Sequence, residues 1–289
     1  MKPAPFEYRR AASVKEAVAL LREHGGDAKV LAGGQSLLPM MKLRLARPAV
    51  VVDINRIPEL HYVRAGGGRL AFGATARLDT LETDAVRRQS PLLAEAVRHI
   101  AHPAIRHRGT VCGSLAHSDP AAELPMLALA LDAELVATGP RGERVVPARD
   151  FFLTYLTTTL GSDELLTEAR FAVPPPASGS AFLELSRRPG DFAIVAVAVV
   201  LEASGGTITR ARVALGAVAD RAVRSDAAEA ALVGQPGRAD TFEAAARAAA
   251  APLEPPSDVH GSSAYRKHVT SVLVRRALAQ AWERATATS

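Results

Sequence analysis

The sequence predicts a protein of mixed α and β structure in two parts. Short apolar strand patterns alternate with helical patterns along the chain, and its 289 residues exceed the usual size of one hydrophobic core. A proline-rich run at 174–180 separates a longer N-terminal part from a shorter C-terminal part and is typical of a linker. We therefore expect two domains that meet in this run.

The composition excludes several classes of protein. A hydrophobic fraction of 48% with 22% charged residues is typical of a soluble globular protein, and no apolar run reaches the ~20 residues of a membrane span. The first ten residues contain no apolar segment of a signal peptide, so a cytoplasmic location is expected. One cysteine, Cys112, excludes an iron–sulfur cluster ligated within the chain. The net charge of +5 comes from scattered arginines with few aromatics, which argues against nucleic-acid binding.

The first 56 residues are predicted to alternate strands and helices. Glu16 follows Ser13 at the spacing of a capping box, and Gly25 with Gly26 ends the helix that starts there. The expected elements are a strand at 6–9, this helix, a strand at 28–32, an amphipathic stretch at 37–45 and a strand at 49–54.

Residues 57–176 have a more varied pattern. Strands at 61–64 and 69–72 flank three glycines, and Pro91 suits the first turn of a helix. Residues 102–125 contain three prolines and two glycines, so most of this stretch is expected to be an ordered, functional loop. The other elements are a helical stretch from Thr75, a buried helix at 126–131, two strands around a turn at 139–142 and a helical segment at 150–160.

The C-terminal part is predicted to begin as an antiparallel sheet and to end in helices. A polar turn at 187–191 follows a strand at 181–186, and two glycines join strands at 193–202 and 207–218. An alanine-rich helix is expected at 242–251. The last helix has apolar residues at the spacing of one face: Tyr265, Val269, Val272 and Leu273.

A glycine turn between a buried strand and a helix start is the first candidate site. Gly33 and Gly34 end the strand at 28–32, so consecutive backbone N–H groups there can face a phosphate without an obstructing side chain. Gln35 and Ser36 add donors, and Lys42 with Arg44 adds positive charge. A plain tight turn is the alternative, and neither of the two standard nucleotide-binding glycine motifs is present.

The second candidate site lies at 108–123. Gly109 and Gly113 expose backbone, hydroxyls of Thr110 and Ser114 can donate to phosphate or polyol oxygens, and two nearby carboxylates can accept from hydroxyls. An ordered surface loop whose side chains cap their own backbone is the alternative. The three histidines in this region, His102, His107 and His117, match no zinc spacing.

Three segments in this order carry a resemblance to a known family: VLAGGQSLLPMMKLRLARP, IRHRGTVCGSLAHSDPAAELP and SRRPGDFA. They resemble the medium, FAD-binding subunit of the xanthine dehydrogenase and carbon monoxide dehydrogenase family of molybdenum hydroxylases. The resemblance implies an α+β fold, with a vanillyl-alcohol-oxidase-type (PCMH-type) FAD domain at 1–176 and a smaller α+β domain at 177–289. The FAD domain would consist of two α/β subdomains, at about 1–56 and 57–176.

The resemblance also implies which residues bind FAD, without a covalent link. The first glycine turn would bind the pyrophosphate, and Thr110, Gly113 and Ser114 would bind pyrophosphate and ribityl chain from the other side. Leu165 and Leu166 would face the flavin ring. The turn at 188–192 would cover the ring or control the access of an electron acceptor. The implied residues are Ala32, Gly33, Gly34, Gln35, Ser36, Leu37, Thr75, Thr110, Gly113, Ser114, His117, Asp119, Glu123, Leu165, Leu166, Asp191 and Phe192.

Electron transfer is the function that the resemblance implies. The chain would pass electrons from [2Fe-2S] clusters of a small subunit, supplied by a molybdopterin-binding large subunit, to an external acceptor, in a dimer of heterotrimers. No catalytic residue or metal is then expected in this chain, and Cys112, where the family has glycine, is expected to be a small buried or flavin-adjacent thiol. The alternatives are a stand-alone FAD-dependent oxidoreductase with its own substrate pocket and a nucleotide-sensing or scaffolding protein.

Overall fold

Residues 2–287 contain three β-sheets, of three, five and four strands, and one small two-stranded hairpin. The computed structural model describes residues 2–287. Helices separate and cover the sheets, so the predicted α+β class is confirmed. Within the described range, no helix is both long enough and apolar enough to cross a membrane.

The first sheet is parallel, with β3 at its centre. Its strands are joined by helices, as parallel strands require. The Ser13 hydroxyl accepts from Glu16 N at 3.2 Å and caps the first helix, as the capping-box spacing predicts. The elements are β1 (Glu7–Arg10), α1 (Val14–His24), β2 (Ala28–Leu31), α2 (Leu37–Lys42) and β3 (Val50–Asp53).

The second sheet is antiparallel, and its central strand was not predicted. This strand is β10 (Leu165–Ala172), and its residues are mostly buried. The charged Glu168 and Arg170 interrupt its apolar run, so the sequence pattern did not indicate a strand. The order is β4-β5-β10-β6-β7. The strands are β4 (Val63–Gly66), β5 (Arg69–Gly73), β6 (Glu134–Gly139), β7 (Gly142–Pro147) and β10 (Leu165–Ala172).

Helices, and not a loop, make up most of residues 102–125, so that prediction was wrong. Pro103 starts one short helix, and Thr110 caps the next, which ends at Ser118 in the left-handed conformation. These breaker residues therefore mark helix ends. The helices of this region are α3 (Asp84–Gln89), α4 (Pro91–Ala96), α5 (Pro103–Arg106), α6 (Val111–His117) and α7 (Glu123–Ala130).

Two further helix predictions were wrong. Thr75 lies in a turn in which Ala76 N donates to Gly73 O at 2.9 Å, and helical structure starts only with the 3-10 turn Leu78–Glu82. The helix expected at 150–160 is a short helix, α8 (Ala148–Phe151), followed by a hairpin of β8 (Phe152–Thr154) and β9 (Thr157–Thr158). The threonine-rich stretch there favours strand, because β-branched side chains suit an extended backbone.

The C-terminal sheet is antiparallel in the order β11-β12-β13-β14, as the strand patterns predicted for its first three strands. Its helices form a separate core with one face of the sheet. On the other face, α7 packs against β12, β13 and β14 and is buried along its whole length. The elements are β11 (Ser178–Ser186), β12 (Ala193–Ser204), β13 (Thr207–Gly216), β14 (Val223–Arg224), α9 (Asp226–Leu232), α10 (Ala239–Ala250) and α11 (Ser263–Thr286).

Candidate cofactor site

The structure brings the two predicted glycine segments together. We call residues 32–36 the first loop and residues 108–114 the second loop. A Cβ atom added to Gly33 would lie 2.5 Å from the Arg108 carbonyl oxygen and 2.7 Å from the Gly109 Cα. Only glycine at position 33 permits this contact, so the two loops form one surface.

The backbone conformation at position 34 also favours glycine. Its φ is +74°, in the left-handed region, and an added Cβ would lie 3.1 Å from side-chain atoms of Leu31 and Leu38. A larger residue here would be strained with or without a phosphate nearby. The glycines of the first loop therefore satisfy the tight turn that was the alternative interpretation.

The first loop supplies a set of unpaired backbone donors. Within residues 2–287, the N–H groups of residues 33–36 have no hydrogen-bond partner, while Gln35 Nε2 donates to Gly33 O at 3.3 Å. Helix α2, which follows, has six residues and contributes only a short dipole. The donor set itself therefore fits the oxygens of a diphosphate.

The second loop is organised by a helix cap. Thr110 Oγ1 accepts from Gly113 N at 3.1 Å, and a Cβ at position 113 would collide with that oxygen. The Thr110 side chain is therefore partly used by the chain itself, as the capping interpretation proposed. The Ser114 hydroxyl, one turn later, has no partner within the described range and is the freer donor.

Thr75 and the two leucines predicted near the flavin have structural roles in the protein. Thr75 is 1% exposed, and its Oγ1 donates to Leu60 O at 3.0 Å. Leu165 and Leu166 begin β10, belong to the larger hydrophobic core, and lie on the strand against which α6 packs. Their predicted contacts with FAD stay predictions.

The acidic residues of the second segment lie at the ends of α6 and α7. Asp119 Oδ1 accepts from Ala121 N at 2.9 Å, and Glu123, the first residue of α7, is 7% exposed. Burial, with the nearby Glu184 second, raises the pKa of Glu123 to about 8. Burial lowers the pKa of His117, which favours its neutral form.

Glu184 on β11 was not identified from the sequence. Burial raises its pKa to about 7, and within residues 2–287 its buried Oε2 has no hydrogen-bond partner. The charge of Glu184, on the C-terminal sheet, is the second cause of the raised pKa of Glu123 at the end of the second segment. No local pattern signals this pair, because a glutamate on a strand is ordinarily a surface residue.

The turn at 187–192 approaches the chain that leads into the second loop. A Cβ on Gly190, whose φ is +85°, would lie 2.7 Å from His102 Cε1 and 2.8 Å from Ala101 O. Asp191 is exposed, and the Phe192 side chain is 69% exposed. The turn therefore docks through its glycine and leaves its aromatic ring free.

Cys112 is buried, as one of the two expectations proposed. It is 2% exposed, and its Sγ donates to Phe72 O at 3.6 Å. Burial raises the pKa of the thiol, which keeps it protonated and unreactive.

Asn55 and Arg77 connect the two loops and were also missed. Asn55 Nδ2 donates to Ala32 O at 2.8 Å, and Arg77 donates to Asn55 and to the Arg108 carbonyl. A cavity of about 520 Å³ lies elsewhere, between Tyr155 and the segment that ends at Pro256, and contains none of the predicted FAD residues. The candidate FAD site is therefore identified by its hydrogen-bond donors and not by this cavity.

Comparison with known families decides the identity of the fold. Residues 4–175 match the FAD binding domain in molybdopterin dehydrogenase, and residues 180–281 match the CO dehydrogenase flavoprotein C-terminal domain. The chain belongs to this family of molybdenum hydroxylase FAD subunits. It is accordingly an oxidoreductase subunit with FAD as its cofactor, and the unpaired N–H groups of the first loop fit that cofactor.

Curated relatives match over nearly the full length. The chain is 44% identical to the carbon monoxide dehydrogenase medium chain of Hydrogenophaga pseudoflava, covering 98% of this chain and 99% of that one. It is 39% identical to the nicotine 6-hydroxylase medium subunit of Paenarthrobacter nicotinovorans, covering 98% and 100%.

Solved structures agree with the fold. The carbon monoxide dehydrogenase of Hydrogenophaga pseudoflava that lacks the Mo-pyranopterin moiety superposes with a TM-score of 0.96 at 46% identity, covering 98% of this chain and 99% of that one. Quinoline 2-oxidoreductase from Pseudomonas putida 86 superposes with a TM-score of 0.93 at 38% identity, covering 99% of both chains. The family, fold class and cofactor predicted from the sequence are thereby confirmed.

Proposed function

We propose that the chain binds FAD where the two loops meet and relays electrons from [2Fe-2S] clusters of a small partner subunit to an external acceptor. The observation that carries the proposal is the contact of Gly33 with the second loop, beside a row of unpaired backbone donors. Two separate segments with phosphate-binding chemistry form one surface there.

Each group of residues has a distinct part in this proposal. FAD, when bound, supplies the exchange between one-electron and two-electron carriers. The N–H groups of residues 33–36 bind the diphosphate, and Ser114 with Thr110 hydrogen-bonds phosphate or ribityl oxygens. Asp119 and Glu123 accept from cofactor hydroxyls, and the turn at 187–192 controls access to the ring.

The names of the relatives support the view that another subunit oxidises the substrate. They refer to carbon monoxide, nicotine and caffeine, although these subunits are 39–44% identical to this chain. A subunit that determined the substrate would be expected to differ more. We propose a molybdopterin-binding large subunit for that reaction, in a cytoplasmic dimer of heterotrimers, and the domain division at 1–176 and 177–289 described above.

The decisive experiment compares the complex with and without flavin. The chain is purified with its partner subunits, FAD is removed from one portion, and substrate is added without oxygen. We expect the molybdenum and iron–sulfur centres to be reduced in both portions, and turnover with the external acceptor only where FAD is present. Equal turnover without FAD would contradict the relay. Substrate oxidation by this chain alone would favour the stand-alone oxidoreductase.

A further inference from the structure

A hydrogen-bonded bridge of two side chains spans the first and second loops. Asn55 follows β3, and its Nδ2 donates to Ala32 O at 2.8 Å and to Leu31 O at 3.3 Å. Arg77 Nη2 donates to Asn55 Oδ1 at 2.7 Å, and its Nη1 donates to Arg108 O at 2.5 Å. One continuous path of hydrogen bonds therefore runs from the first loop to the second.

Both ends of the bridge are fixed independently. The backbone beside Arg77 pairs with the second loop, since Leu78 N donates to Gly109 O at 2.9 Å and Val111 N donates to Ala76 O at 3.0 Å. Asn55 is oriented by Asp53, whose Oδ1 accepts from Asn55 N at 2.8 Å and from Asn55 Nδ2 at 2.7 Å. The other oxygen of Asp53 accepts from Tyr8 OH at 2.5 Å.

The chemistry of the bridge requires these residue types. A guanidinium is planar and presents separate N–H groups to two acceptors, which a lysine ammonium does not reproduce. An amide accepts from Arg77 with its oxygen and donates to the first loop with its nitrogen, whereas a carboxylate only accepts. Arg77 is half-buried, and burial, followed by repulsion from Arg108, lowers its pKa, so the guanidinium is in a site that disfavours its charge. Binding of an anion nearby would relieve that repulsion.

We propose that Asn55 and Arg77 form a positioning latch that holds the first loop against the second and thereby preorganises the diphosphate site. The inference rests on the proposed location of FAD at these loops. The first loop follows β2 of the parallel sheet, whereas the second loop lies between α5 and the start of α6, so without the latch the free-energy cost of ordering them against each other falls on cofactor binding. The latch acts through loop geometry and needs no contact with FAD.

The test measures FAD affinity and dissociation rate in apoprotein of the full chain. Asn55→Asp keeps the acceptor for Arg77 and removes the donor to Ala32. Arg77→Lys keeps the positive charge and removes the planar guanidinium that donates to two acceptors. Each is expected to raise the Kd for FAD about tenfold, chiefly through faster dissociation, because hydrogen bonds of the bridge between the loops are lost. Arg87→Lys is the matched control, since Arg87 lies on α3 and pairs only with exposed groups near Asp84.

A double variant separates a latch from a general loss of stability. If the two residues act as one unit, Asn55→Asp with Arg77→Lys weakens FAD binding little more than either change alone. The apoprotein of Arg77→Lys should unfold near the wild-type temperature, because the side chain is only half-buried. Unchanged Kd values, or penalties that add, would overturn the latch.

A Ser114→Ala variant separates this inference from the proposed site. Normal FAD binding by the latch variants with weaker binding by Ser114→Ala would reject the latch and retain the site. Normal binding by all of these variants would reject both.

Discussion

The two loops and the turn at 187–192 differ in how the protein holds them. The loops are joined by a close glycine contact and by the Asn55–Arg77 latch, and Gly33 is buried. The turn docks through Gly190 and leaves Phe192 largely exposed. Rigid, buried backbone suits retention of a cofactor, and an exposed side chain suits contact with a changing partner. Retention and access are thus expected to be separable by mutation.

Gly33→Ala should have the largest effect. The new methyl group would lie 2.5 Å from the Arg108 carbonyl oxygen, so the loops must move apart. We expect folded protein with little bound FAD, measured as the flavin content of the purified complex. Gly26→Ala is the control, because no atom lies within 4 Å of its added Cβ and its φ is not positive. Full flavin content in Gly33→Ala would show that loop contact is not needed for retention.

The buried carboxyls of Glu123 and Glu184 should make the stability of the protein depend on pH. The folded pKa of Glu123, about 8, lies above the ordinary value of 4.5, so the folded state binds more protons than the unfolded state. The corresponding stability is present below pH 4.5 and is lost as pH rises through about 8. We expect the free energy of unfolding by urea to fall across this window in the wild type.

Glu123→Gln should flatten that pH profile, because a neutral amide replaces the titrating carboxyl. Glu243→Gln, an exposed carboxylate on α10 that pairs with Arg247, is the control and should keep the wild-type slope. If Glu123→Gln kept the same slope as the wild type, the pair would not titrate in this range.

Phe192→Ala tests whether the turn at 187–192 controls access to the flavin. Because the ring is exposed and outside the loops, FAD should stay stoichiometric while the rate of flavin reoxidation by the acceptor, or the flavin potential, changes. Reduction of the molybdenum and iron–sulfur centres by substrate should stay near wild type, since these steps come earlier. Arg141→Ala serves as a surface control, because Arg141 is an exposed residue of the turn before β7. An unchanged potential and reoxidation rate would make the turn a purely structural feature.

Cys112→Ala should have the smallest effect. The thiol is buried and makes one weak hydrogen bond to Phe72 O, so its loss should cost roughly 1 kcal/mol of stability and no FAD. Thermal unfolding and flavin content measure both quantities. Loss of electron transfer with FAD retained would instead require a redox role for this thiol.

Local sequence patterns predicted many of the strands and helices and missed others. The capping box of α1, the strands of the first sheet and the first three strands of the C-terminal sheet were predicted because their signals lie within a few residues. The strand β10 and the helices at 102–125 were missed. In β10 charged residues are accommodated by partners across the sheet, such as Tyr62, whose OH donates to Glu168 at 2.6 Å. In α5 and α7, Pro103 and Pro125 lie in the first turn of a helix, and Gly109 lies between α5 and α6, which the number of prolines and glycines alone does not show.

The sequence by itself determined the family and the cofactor, and it located the two glycine segments proposed to bind FAD, because each of these depends on contiguous residues. Only the tertiary structure decided that Gly33 touches the second loop, that Asn55 and Arg77 connect the loops, and that Glu184 raises the pKa of Glu123. These contacts join residues that lie far apart in the sequence, on different strands, helices and loops. Their geometry depends on how the sheets pack, and no spacing along the chain encodes it.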